Sequence, residues 1–208
     1  MSQSNAKKII SLGVTLFIIT AVTGTILGVV RDITLEPIRA TQEKLREEAL
    51  RGALPEAEEF STLELAEGAE SIIKDVQEGF SAGNTAGYCV TVLPRGYAGP
   101  IELVAGITND GNLRAIRIMN QSETPGLGAK AVLPIFYEQF KDAAQITVVK
   151  VAPAAPGEIQ AISGATITSD AVATGVNAAL SYWKNHLAPG TRGGTEAVSG
   201  VNLPAKED

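Results

Sequence analysis

Residues 9–30 form an apolar run of about 22 residues, IISLGVTLFIITAVTGTILGVV, with no charge anywhere in it. At ~1.5 Å of helical rise per residue the run reaches ~33 Å, enough to cross a hydrocarbon core of ~30 Å. No other feature constrains the chain so strongly, because a lone spanning segment must satisfy its own backbone and only a helix does that in lipid. Four threonines and a serine fit such a span, since their hydroxyls bond back to carbonyls of the preceding turn. Gly24 and Gly28 stand four apart, a spacing that admits a second helix and that also arises by chance. A cleaved signal peptide is the rival reading. The run outlasts a usual signal core and no small-x-small site follows it, so an uncleaved anchor is expected. Lys7 and Lys8 lean towards a cytoplasmic segment 1–8 with the rest of the chain outside, although Arg31, Arg39 and Lys44 follow the span.

The remaining inventory works mainly by exclusion. A net charge of −6 and a pI near 4.9 argue against a nucleic-acid partner, which needs a basic face. The single cysteine, Cys89, excludes an internal disulfide and any multi-cysteine metal or iron–sulfur site. The single histidine, His186, leaves no pair for zinc and no Ser-His-Asp arrangement. No metal ligand set and no side-chain catalytic group is therefore expected, and any redox activity points to a borrowed cofactor. Cys89 reads as a small core residue, and His186 as a favourable dipole contact near a helix C-terminus.

Along the chain, residues 31–71 read as a charged helical stalk and linker, with a kink or restart at Pro37. From about Ile72 the texture turns β-rich. Residues 87–93 (GYCVTVL) and 101–108 (IELVAGIT) are strand patterns separated by the turn-prone segment 94–100. Asn109-Asp110-Gly111-Asn112 is a hairpin signal leading into a strand over 113–119. The glycine loop 123–128 precedes an expected amphipathic helix over 129–140, and 146–151 is a further strand. A helix is expected over 170–186, with Val172, Val176, Ala179, Leu180 and Trp183 on one face. Beyond Pro189 the tail 188–208 reads as loosely ordered. The expected class is α+β: one N-terminal transmembrane helix, then a single domain over 72–187 whose sheet is covered by helices.

The segment Ile162-Ser163-Gly164-Ala165-Thr166-Ile167-Thr168-Ser169-Asp170 is a loop of small residues opening into that last helix. Ser169 suits the N-cap and Asp170 the first turn. Free N–H groups at a helix start favour an anion such as phosphate, and Gly164 and Ala165 keep bulk away from it. From the residues alone, a plain capping loop remains the commoner meaning.

Ser163-Gly164-Ala165-Thr166, with Ile167-Thr168-Ser169 after it, resembles the flavinylation motif of FMN-binding domains in the Rnf and Na⁺-pumping NADH:quinone oxidoreductase complexes. In that family the threonine closing the motif is esterified to FMN phosphate by a flavin transferase that uses FAD and magnesium. The resemblance implies Thr166 as the covalent site, with Thr168 the competing hydroxyl. Glu123-Thr124-Pro125-Gly126-Leu127-Gly128 resembles the family's loop near the flavin and implies contacts from Glu123, Thr124, Gly126, Leu127 and Gly128. Gly99-Pro100-Ile101-Glu102-Leu103 matches the strand entry before it. Tyr97, in the glycine-rich turn, either covers the flavin or is an ordinary turn aromatic. One departure is Gln160, where the family often has an acid.

The compact length resembles the G subunit of Rnf complexes more than the C subunit of the sodium-pumping quinone reductase, which usually carries extra sequence. The resemblance implies an electron-transfer subunit of an ion-translocating oxidoreductase, not catalytic alone, in the inner membrane with its flavin domain extracytoplasmic. Implied partners are the other subunits of the complex, including a second FMN-carrying membrane subunit and membrane subunits with a metal cluster, together with the transferase. The alternatives are the C-type subunit of the quinone reductase and a cofactor-free membrane-anchored assembly module.

Overall fold

The computed structural model describes residues 3–189, and most of the tail expected to be loose lies outside them. The chain divides into two units, Met1–Leu45 and Arg46–Asp208. One helix, α1 (Gln3–Ala53), runs through the first unit and into the second.

In the first unit the apolar side chains stand unburied, as at Leu12 (70% exposed) and Phe17 (71%). Helix α1 is long and apolar enough to cross a membrane, with a mean hydropathy of 2.1 in its most apolar stretch. The hydroxyls behave as a span requires: Thr15, Thr20 and Thr25 donate to the carbonyls of Ser11, Leu16 and Ala21 at 2.8–3.0 Å. Of the kink or restart expected at Pro37, the restart does not occur: α1 passes through it unbroken. A proline inside a helix costs about 3 kcal/mol. A long helix propagates through that cost because only nucleation is expensive, and no second nucleus is needed here.

The second unit is built on a five-stranded antiparallel meander in chain order: β1 (Glu59–Leu63), β2 (Ile73–Ser81), β3 (Asn84–Val92), β4 (Glu102–Thr108) and β5 (Leu113–Asn120). The β2–β3 hairpin turns through Ala82 and Gly83, both at positive φ, and β4–β5 turns at Gly111 (φ +82°). Strand β3 is buried from Gly87 to Val92 and β4 from Leu103 to Ile107. Cover on both faces explains why their sequences are continuous apolar runs rather than alternating ones. On one face Val90, Val92, Leu103 and Ile107 join Val172, Val176 and Ala179 of the last helix in the main core. On the other face Cys89 and Val104 pack with Ala49, Leu50, Ala53 and Leu54 from the end of α1.

That second face corrects the expected stalk and linker. The compact unit begins at Arg46, and Glu59–Leu63 is the outer strand of the sheet. The amphipathic helix expected over 129–140 is instead a chain of short turns: a 3-10 turn at Gly128–Val132, the single turn α2 (Pro134–Tyr137), and a 3-10 turn at Glu138–Phe140. Pro134 lacks an N–H and holds Leu133 extended (φ −82°, ψ 143°), which prevents one helix from forming. The strand expected over 146–151 shortens to β6 (Thr147–Val149), which pairs in parallel with β7 (Glu158–Gln160). Helix α3 (Thr166–Tyr182) ends in a wider turn over Trp183–Leu187.

Cys89 is fully buried, and the cost of desolvating a thiolate, increased by the charge of Asp75, pushes its thiol well above its usual range. It is a core residue, as expected. The His186 ring lies against that of Tyr182 at a tilt of 39°, with centroids 4.8 Å apart.

Candidate functional site

Strand β7 delivers the chain to the loop 161–165, which leads directly into α3. The loop is held from inside. The Ser169 hydroxyl accepts from the Ile162 N–H (2.9 Å) and donates to the Ala165 carbonyl (3.0 Å), and Ser169 is fully buried. Ser169 is therefore not the N-cap expected of it. Ala165 holds that position, with no side-chain cap, and the helix starts at Thr166. Asp170, expected in the first turn, lies beyond it, and no acidic residue occupies that turn. The serine is drawn inward because it satisfies two buried backbone groups of the loop at once.

This early start changes what the helix end offers. The first intrahelical bond runs from the Ser169 N–H to the Ala165 carbonyl, which leaves the N–H groups of Thr166, Ile167 and Thr168 without helical acceptors. Uncapped donors and the positive end of the helix suit an anion. Gly164 precedes them at φ +75°, where a Cβ would be strained and would also lie 3.1 Å from Leu127.

Three segments enclose an open cleft of about 540 Å³ at this helix start. One wall is α3 with Gly164, Ala165, Thr166, Ile167 and Thr168. Thr124, Leu127 and Gly128 line the second, and Tyr97 stands on the third. The loop carrying Tyr97 is closed by the Arg95–Pro100 bridge and by the Gly96 N–H bonding to the Gly99 carbonyl at 2.8 Å. Glu123 lies beneath, 5% exposed. Its Oε1 accepts from the Ala98 N–H (2.9 Å) and its Oε2 from the Thr168 hydroxyl (2.5 Å).

Eight of the ten expected site residues thus meet in one cleft. Ser163 instead faces a neighbouring groove beside Gln160 and Phe136. Gly126 (φ +81°) shapes the turn without lining the cleft, and a Cβ there would meet nothing within 4 Å. Ile167 was not expected; its sequence signal is a bulky apolar residue in the first turn of the helix, left 56% exposed. The two competing threonines separate clearly. Thr168 is 1% exposed and its hydroxyl is bonded to Glu123. Thr166 is half-buried, and its hydroxyl makes no hydrogen bond to any described residue.

The cleft volume, the uncapped donors at the helix start and the apolar walls of Leu127 and Ile167 fit a phosphate-bearing ligand with a large flat ring. The profile of the FMN-binding domain family matches residues 96–181, the stretch that contains all of these residues. Fold and site together define an FMN-binding domain. The chain is 35% identical over 199 residues to the G subunit of the Na⁺-translocating ferredoxin:NAD⁺ oxidoreductase complex of Acetobacterium woodii, covering 88% of this chain and 95% of that one. It is 33% identical over 186 residues to the G subunit of the ion-translocating oxidoreductase complex of Methanosarcina acetivorans, with 86% and 97% covered. The chain belongs to this family of G subunits. Its fold is shared with the C subunit of the Na⁺-translocating NADH-quinone reductase of Parabacteroides distasonis, at a TM-score of 0.57 and 22% identity over 74% of this chain and 96% of that one.

Proposed function

We propose that this chain is the electron-carrying G subunit of a membrane complex that couples electron transfer between ferredoxin and NAD⁺ to ion translocation, and that it holds FMN covalently through a phosphoester on Thr166. The observation that carries the reading is the division of labour between the two threonines: Thr166 lines the cleft at the uncapped helix start with its hydroxyl unbonded to any described residue, while the hydroxyl of Thr168 is occupied by Glu123. When bound, FMN would supply the electron chemistry. The residues do the rest. The N–H groups at the start of α3 hold phosphate, Gly164 lets it approach the backbone, and Leu127 with Ile167 excludes water from the ring. A covalent link suits a cofactor that an open cleft would otherwise release by dilution.

Resemblance to G subunits over most of the chain favours this role over that of the quinone-reductase C subunit, whose likeness here is one of fold. The partners are the other subunits of the complex, among them a second FMN-carrying membrane subunit and membrane subunits with a metal cluster, and a flavin transferase during maturation. Co-expression with such a transferase is expected to give a yellow chain whose fluorescence survives denaturing electrophoresis. A colourless chain, made alongside an active transferase that labels a control substrate, overturns the reading.

The protein is a membrane subunit, and we place its flavin domain on the extracytoplasmic side of the inner membrane, following Lys7 and Lys8 before the span. A phosphatase reporter fused after Asp208 is then active, and a reporter that works only in the cytoplasm is silent at the same point. The reverse pattern defeats the orientation.

A further inference from the structure

On the floor of the cleft, the attachment leaves the buried carboxylate of Glu123 unused. Both of its oxygens are engaged: Oε1 accepts from the Ala98 N–H, and Oε2 lies 2.5 Å from the Thr168 hydroxyl. No lysine or arginine among the described residues pairs with it. The backbone closes over it on two sides. A Cβ at Gly96 would come within 2.6 Å of Oε1, and one at Gly128 within 2.6 Å of Oε2. The two glycines therefore let the chain pack directly on the carboxylate.

Two physical consequences follow from this placement. The first is mechanical. Ala98 belongs to the loop that carries Tyr97, and Thr168 to the helix turn that carries Thr166, so one side chain ties opposite walls of the cleft together. The second is electrostatic. A negative charge in a poorly solvated floor, with neutral donors and no cation, opposes the arrival of further negative charge in the same cleft.

We propose that Glu123 is a positioning residue with an electrostatic role: it clasps the two walls of the cleft and, through its charge, lowers the reduction potential of the flavin held there. This rests on the reading that FMN occupies the cleft. Glu123→Gln separates the two effects. Its amide oxygen still accepts from the Ala98 N–H, and its NH₂ donates to the Thr168 oxygen, which can reverse its role. The clasp then survives without the charge. Glu123→Ala removes both.

The test uses the full chain in detergent, prepared with and without flavinylation, with attachment and its site checked first by intact mass and peptide mapping. In the flavin-free chain, hydrogen exchange at the Ala98 amide is expected to quicken at least tenfold in Glu123→Ala and to stay near wild type in Glu123→Gln. In the flavinylated chain, redox titration followed by absorbance is expected to place Glu123→Gln at a more positive potential than wild type. Unchanged exchange in a folded Glu123→Ala overturns the clasp, and a wild-type potential in Glu123→Gln overturns the electrostatic role. Absence of flavin, or flavin on another residue, counts against the attachment at Thr166, and the exchange measurement still decides the clasp.

Discussion

Thr166→Val is expected to abolish covalent flavin altogether, while Thr168→Val still carries it. Valine keeps the branched shape of threonine and removes the oxygen, so the start of α3 retains its geometry but loses the atom that would form the ester. Thr166 makes no hydrogen bond that the substitution would orphan, and its half-exposed position keeps the cost to stability within about 1 kcal/mol. Thr168→Val behaves in the opposite way. It leaves the acceptor untouched but deprives Oε2 of Glu123 of its hydroxyl donor, a buried loss of roughly 1–3 kcal/mol. Intact mass after co-expression with the transferase reads the result directly. Wild type and Thr168→Val should both gain the mass of FMN less one water, with thermal unfolding lowered in Thr168→Val; Thr166→Val should gain nothing and melt near wild type. A flavin adduct on Thr166→Val would remove the central claim. If wild type itself takes no flavin, Gln160 is the first position to change to aspartate. It stands where the resembling motif often has an acid, and its N–H is already held by the Gln139 side chain at 2.7 Å, so the exchange leaves the backbone undisturbed.

What could be read from residues alone follows a physical pattern. Strands β3 and β4 were legible because cover on both faces demands unbroken apolar runs, and the hairpin at Gly111 because its turn needs a positive φ. The outer strand β1 was not, since an edge with the burial pattern of Glu59–Leu63 shows neither a continuous run nor a clean alternation. The start of α3 was expected one turn too late, because serine before a helical pattern normally caps it. Here the same hydroxyl is taken up by the loop, a contact that depends on the tertiary path of the chain. The cleft residues came from the resemblance of two short motifs. That Glu123 reaches Thr168, 45 positions away, is a product of the fold, and no local pattern announces it.

The largest effect on stability is expected at Gly106, and it bears on why residues 46–54 do not show in their sequence that they belong to the compact unit. The end of α1 sits on a floor of glycines. A Cβ at Gly106 would lie 2.1 Å from the carbonyl oxygen of Ala53 and 2.4 Å from its carbon. Gly79 and Gly87, which face each other across β2 and β3, would bring Cβ atoms within 2.7 Å and 3.1 Å of the Leu54 side chain. A floor made of absent side chains produces no apolar signature in the strands, so residues 46–54 look like solvated stalk although Ala53 and Leu54 are fully buried. Excess volume in a packed core typically costs ~1–3 kcal/mol, when side chains can shift to absorb part of it. At Gly106 the obstacle is backbone, and it cannot change rotamer. Gly106→Val is therefore expected to cost about 3 kcal/mol or more, a fall in melting temperature on the order of 10 °C for a unit of this size. Gly99→Ala is the matched control, because its nearest neighbour, the Ser122 Cβ, is 3.9 Å away and its φ is not positive. Thermal unfolding of the full chain in detergent compares the two. A Gly106→Val protein that melts with wild type would mean that α1 does not seat on β4 as described, and that the sheet stands without the end of the membrane helix.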